Sequence, residues 1–221
     1  MKNTLVTFVT ALITFGFSAQ EITTEEQAFQ DSINALNTAS AATAESQEAY
    51  NLGIALFSKE KYKEAVAAFD RSITGDSKFE AAYYNKGVAQ YQMKTYKASL
   101  GTFTKLLGIN KEHGKAYFQR AQSHQKLNNL DAAIDDYDHA ILIDAKNYKA
   151  YYNAGGVNFL KKDYEKAIKL FTKAIGIKPD FGDAYNDRGS SYRMLMKFDL
   201  ALADYKKAGK YMPKHAFVFN N

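Results

Sequence analysis

Residues 148–181 read YKAYYNAGGVNFLKKDYEKAIKLFTKAIGIKPDF, and residues 182–215 read GDAYNDRGSSYRMLMKFDLALADYKKAGKYMPKH. Laid one above the other, they set Tyr151 over Tyr185, Gly155 over Gly189, Ala167 over Ala201, Phe171 over Tyr205, Ala174 over Ala208 and Pro179 over Pro213, each pair 34 residues apart. The same spacing runs back through Gln119-Arg120-Ala121, Asn85-Lys86-Gly87 and Asn51-Leu52-Gly53. Five units of 34 therefore follow one another without insertion, 46–79, 80–113, 114–147, 148–181 and 182–215.

Each column has a physical use. Gly53, Gly87, Ala121, Gly155 and Gly189 are small, which lets two helices approach closely. A second small column, Ala65, Ser99, Ala133, Ala167 and Ala201, precedes by four residues the aromatic column Phe69, Phe103, Tyr137, Phe171 and Tyr205. Positions i and i+4 share a helix face, so one helix can seat its ring against a neighbour's small residue. Tyr83, Tyr117, Tyr151 and Tyr185 form a further aromatic column at the fourth place, where the first unit has Ala49. Pro179 and Pro213 stand just past the second helix, where proline stops a helix without breaking one. Each unit reads as helix, tight turn, helix, with turns at Ser58–Tyr62, Met93–Tyr96, Leu127–Leu130, Lys161–Tyr164 and Leu195–Phe198. A single helical pair cannot bury its own faces, so stacked neighbours supply the core.

These residues resemble the tetratricopeptide repeat (TPR), over residues 46–215. Ser77 and Lys111 depart from the family at the proline place, Leu106 stands where a small residue is usual, and Ala121 replaces a glycine. The resemblance implies an all-α fold, a right-handed α-solenoid of five stacked helix-turn-helix units. It also implies that the first helices line a concave groove which receives a partner peptide. The groove places here are the second, fifth, ninth and twelfth of each unit. They hold Tyr50, Ile54 and Phe57; Tyr84, Val88 and Tyr91; Lys115, Phe118, Gln122 and Gln125; Lys149, Tyr152 and Phe159, with Gly156 opening space; and Asp183, Asn186, Ser190 and Arg193. Aromatic residues in such a surface suit apolar or extended peptide segments, and Lys115 and Lys149 favour an acidic residue in the ligand. The opposing reading is that these rings pack on one another and stiffen the superhelix. Family members that grip the acidic tails of heat-shock chaperones use a Lys/Asn pair and further cations; here Tyr50/Ile54, Tyr84/Val88, Asp183 and Asp187 stand instead, so that recognition is not expected.

The two ends differ from the repeats. Met1-Lys2-Asn3 is a short positive head, Leu5–Phe17 is mostly apolar, and Ser18-Ala19-Gln20 turns polar, the pattern of a secretory signal peptide over 1–19 cut after Ala19. This predicts a periplasmic or secreted protein of bacterial type with no stable membrane insertion after cleavage, since nothing later is long and apolar enough to span a bilayer. Residues 20–45 carry five acids and no Lys or Arg, while the remainder of the mature chain sums to +9. Thr24-Glu25-Glu26-Gln27 offers a capping box, and Phe29, Ile33 and Leu36 fall on one helix face. The segment reads as a capping helix or linker, or as an acidic strap lying in the groove. The tail 216–221, with Phe217, Val218 and Phe219, either folds over the open end or pairs with another copy.

No chemistry is expected. With no cysteine, the chain has no thiolate site or Cys nucleophile. His113, His124, His139 and His215 have no metal-ligand spacing, and no phosphate loop or nucleophile elbow occurs. Asp135-Asp136-Tyr137-Asp138 reads as a solvated acidic face. The basic pI near 9.0 comes from lysines dispersed over turns and outer faces among acids, a solubilising coat rather than a nucleic-acid stripe. The chain is therefore expected to be a non-enzymatic protein-interaction scaffold, without cofactor, metal or small-molecule substrate, in cell-envelope assembly or secretion. Two other roles fit the same residues: a self-associating structural protein joined through its C-terminal end, and a regulatory subunit of an envelope enzyme.

Overall fold

The computed structural model describes residues 43–212. The chain divides into Met1–Ala44 and Glu45–Asn221; nearly all of the first unit lies outside the described residues, and the second holds the helices below apart from the first two residues of α1. The signal peptide, most of the acidic segment and the apolar tail read from the sequence lie outside the described residues.

Ten helices and no strand occur among the described residues. They are α1 (43–58), α2 (Tyr62–Gly75), α3 (Glu80–Gln92), α4 (Tyr96–Ile109), α5 (Gly114–Lys126), α6 (Leu130–Ile143), α7 (Tyr148–Leu160), α8 (Tyr164–Ile177), α9 (Gly182–Met194) and α10 (Phe198–Tyr211). From α2 onward, each helix packs on the one before and the one after, giving a continuous stack of antiparallel hairpins. First helices of neighbouring units also touch, α3 with α5 and α7 with α9.

The turns inside the hairpins repeat one device. Glu60, Lys94, Asn128, Lys162 and Met196 each take the left-handed conformation, with φ between 58° and 65°. The residue after each returns its N–H to the carbonyl five back: Lys61 to Leu56, Thr95 to Gln90, Asn129 to His124, Asp163 to Asn158 and Lys197 to Tyr192. This bond ends the first helix and reverses the chain, and it compensates the roughly 1–2 kcal/mol that a side chain in that conformation costs. Between hairpins, Asp76, Asn110 and Asp144 accept, through their side chains, the N–H of the residue two further on. At the fourth boundary Lys178-Pro179 stands at these places. The turns built on Asp76 and Asn110 explain why Ser77 and Lys111 can replace the expected proline.

The core is the small-against-aromatic packing read from the sequence. A Cβ on Gly87 would come within 2.6 Å of the Phe103 ring, one on Gly155 within 2.7 Å of Phe171, and one on Gly189 within 2.9 Å of Tyr205. Phe69, Phe103, Tyr137 and Phe171 are fully buried. In the third unit Ala121 takes the glycine place, still buried with Tyr137, whose hydroxyl donates to Gln125 Oε1 at 3.1 Å. Leu106 is accommodated beside Phe103, Leu107 and Ala116.

One part of the sequence reading is corrected. Asp136 belongs to no solvated face: it is 3% exposed and receives Nε and Nη2 of Arg120 at 2.8 and 2.7 Å. Arg188 and Asp204 repeat this forked pair 68 residues later, at 2.7 and 2.8 Å, with Thr104 and Thr172 accepting from the respective arginines. The fourth unit fills the same two places with Ala154 and Leu170, packed in an apolar cluster. The two helices of a hairpin are thus joined by ionic or by apolar contact at one register.

Candidate functional site

The fifth place of each first helix sits where three elements meet. Tyr50, Tyr84, Phe118 and Tyr152 are half-buried. Each ring packs on the aromatic of its own second helix: Phe69, Phe103, Tyr137 and Phe171, at 5.9, 6.0, 5.7 and 5.7 Å between centroids. Three reach forward to the residue before the next first helix as well: Tyr50 to Phe79 at 4.9 Å, Tyr84 to His113 at 5.5 Å and Tyr152 to Phe181 at 4.9 Å. The twelfth-place rings behave alike, Phe57 edge-on to Tyr62, Tyr91 to Tyr96 and Phe159 to Tyr164, at 5.2–5.3 Å. These rings hold hairpins together and show one flank to solvent, so truncating them would disturb the stack as well as the surface.

Lys115, Lys149 and Arg193 are exposed, and Gln122 is half-buried. None of them lines the enclosed space on this face. That space is a pocket of about 330 Å³ spanning the third, fourth and fifth units, and of the residues named from the sequence it takes Tyr152, Phe159, Gly156, Gln125 and Ser190. Tyr50, Phe57, Tyr84, Tyr91 and Phe118 stand elsewhere along the face. Asn153, Leu160, Phe171 and Asp187 complete the lining. Gly156 keeps it open: a Cβ there would meet nothing within 4 Å.

Asp187 is the charged residue of the lining. Tyr152 Oη donates to its Oδ2 at 2.8 Å and Asn186 Nδ2 to its Oδ1 at 3.0 Å. Burial pushes its carboxyl above the usual range, against those two bonds, and nearby Asp183 adds to the rise. Burial and the same carboxylate hold the Tyr152 phenol protonated, so it serves as a donor. The sequence reading had set Asp187 among groups that repel a carboxylate, and had not placed it in a pocket. The signal was present in the 35-residue step from Tyr152 to Asp187, which repeats that from Tyr50 to Asn85, where Asn85 Nδ2 donates to Tyr50 Oη at 3.0 Å.

Among the described residues no group of three or more His, Asp or Glu side chains could hold a metal ion, and no helix is long and apolar enough to cross a membrane. His113 caps α5 by accepting from Ala116 N at 3.1 Å, and His139 stacks on Tyr117 at 4.8 Å.

Known proteins match this arrangement. The tetratricopeptide repeat family model matches residues 26–78, 50–113 and 118–180. Among solved structures, MamA protein superposes with a TM-score of 0.72 at 23% identity, covering 80% of this chain and 96% of that one. A MamA chain from Desulfovibrio magneticus RS-1 superposes with a TM-score of 0.73 at 16% identity, covering 77% and 97%. YrrB, described as a TPR protein with an unusual peptide-binding site, does so with 0.67 at 22% identity, covering 77% and 88%. At these identities the likeness is one of fold. No curated protein matches the chain.

Proposed function

Since the chain belongs to the tetratricopeptide repeat family, we propose that its first-helix face holds an extended segment or helix of a partner protein, as a scaffold with no reaction of its own. The observation that carries this is the pocket on that face, kept open by a helical glycine and walled by Tyr152 and Phe159. The proposed setting is outside the cytoplasm, in envelope assembly or secretion, from the signal-like residues 1–19.

Gly156→Leu tests the groove without touching a ring that joins hairpins. The leucine enters open space, so the helical spectrum and unfolding midpoint are expected to hold. Affinity capture from the native envelope is expected to lose its partners with Gly156→Leu and to keep them with Gly156→Ala. Partners captured equally by a folded Gly156→Leu protein would remove this face from the proposal.

Self-association is a second reading, favoured by the last hairpin. Met196, Phe198 and Leu202 are 78%, 63% and 52% exposed near one another in sequence. Light scattering over a concentration series is expected to show a mass above one chain that falls to one chain in Phe198→Gln/Leu202→Gln. A single-chain mass for the unaltered protein at every concentration would exclude it.

A further inference from the structure

Resting on the groove reading above, we propose that the pocket across the third, fourth and fifth units selects a basic side chain of the partner segment, arginine or lysine, its apolar stem against Tyr152 and Phe159 and its cation on Asp187. The first argument is charge. Every other lining residue is uncharged. Among the described residues the ion pairs formed are Lys86–Asp70, Arg120–Asp136, Lys161–Asp131 and Arg188–Asp204, and none includes Asp187. The adjacent Arg188 spends both forks on Asp204. Asp183, one turn earlier on α9, adds a second negative charge.

The second argument is register. The sixth place of the five units reads Asn51, Asn85, Gln119, Asn153 and Asp187. Asn85 shows that an amide meets the neighbouring tyrosine there at hydrogen-bond distance. A carboxylate at the fifth repeat is therefore not needed for the stack, and burying it without a cation works against folding. Two donors occupy its oxygens, leaving about half of a carboxylate's acceptor sites for a ligand.

Capacity and exclusion agree with this. At about 330 Å³ the pocket is at the small end of ligand sites, which run roughly 300–1,000 Å³, suited to one long side chain rather than a folded element. Asp183 and Asp187 make this end of the face acidic, which disfavours an acidic occupant. The same carboxylates reverse the preference for an acidic ligand that Lys115 and Lys149 suggested from sequence; those lysines stand outside the pocket.

The test uses the full chain and three probes, the N-acetyl amides of arginine, norleucine and glutamate, titrated while the amide resonance of Gly156 is followed by NMR. Arginine is expected to bind at least about tenfold more tightly than norleucine, the worth of one charge-assisted hydrogen bond, and glutamate not to register. Asp187→Asn, which restores the amide of the column, is expected to erase the arginine advantage while its unfolding midpoint stays or rises. Equal binding of arginine and norleucine, preference for glutamate, or an unchanged arginine affinity in folded Asp187→Asn would each overturn the proposal. If Gly156→Leu still abolishes partner capture in that event, the groove stands and only the basic residue falls. An arginine preference in a chain whose capture ignores Gly156→Leu would instead separate the pocket from the partner's site and overturn the link between them.

Discussion

Valine in place of Gly155 is expected to cost about 3 kcal/mol of unfolding free energy, the upper part of the range for overpacking a filled core. Its Cβ alone would lie 2.7 Å from Phe171 Cε1 and 2.8 Å from Cδ1. Phe171 is fully buried and packs on Tyr152, so displacing the ring breaks that contact as well. The position lies in the fourth of five units, and in a stack held by nearest-neighbour contacts a loosened unit weakens both interfaces. Denaturant unfolding followed by circular dichroism reads the loss. Phe171→Leu alone leaves a cavity and destabilises, but in the same chain as Gly155→Val it is expected to recover at least about 1 kcal/mol, because two of the three ring atoms the valine strikes, Cε1 and Cζ, are absent from leucine. Simple additivity of the two changes would show that glycine and ring are not the coupled pair described here.

Arg188→Ala is expected to cost about 3–5 kcal/mol, the usual consequence of removing one partner from a buried ion pair. Asp204 is 4% exposed and would lose both charge-assisted bonds, leaving a carboxylate in the stack with no counter-charge. The remedy is written in the chain itself, since the fourth unit fills the equivalent places with Ala154 and Leu170. Arg188→Ala/Asp204→Leu is therefore expected to regain most of the stability lost by the single change, measured by the same unfolding. A double variant no more stable than Arg188→Ala would mean that the two registers are not interchangeable.

The two experiments separate what was legible in the residues from what was not. The glycine and aromatic columns were legible because a helix turns at a set rate: a small residue and a ring at fixed offsets must meet on one face whatever else surrounds them. Asp136 was misread because the partner that neutralises it, Arg120, lies 16 residues away on a different helix. Its acidic neighbours Asp135 and Asp138 are exposed, and only the packing shows that the residue between them turns inward. Likewise the fifth-place rings could be placed on the first helices, one in each of the first four units. Their engagement with Phe79, His113 and Phe181 depends on where the loop before the next unit comes to rest.

By itself the amino-acid order determined the all-α class and the 34-residue step, which follow from local periodicity repeated five times, and the residues at those places carry the likeness to the family. Tertiary structure alone decided that a pocket opens along the face, that Gly156 clears it and that Asp187 stands in its wall. The physical reason is reach. Periodicity constrains neighbours within a helix or one unit away, whereas a cavity is the volume left over when side chains from three units have all packed, and no single segment encodes that remainder.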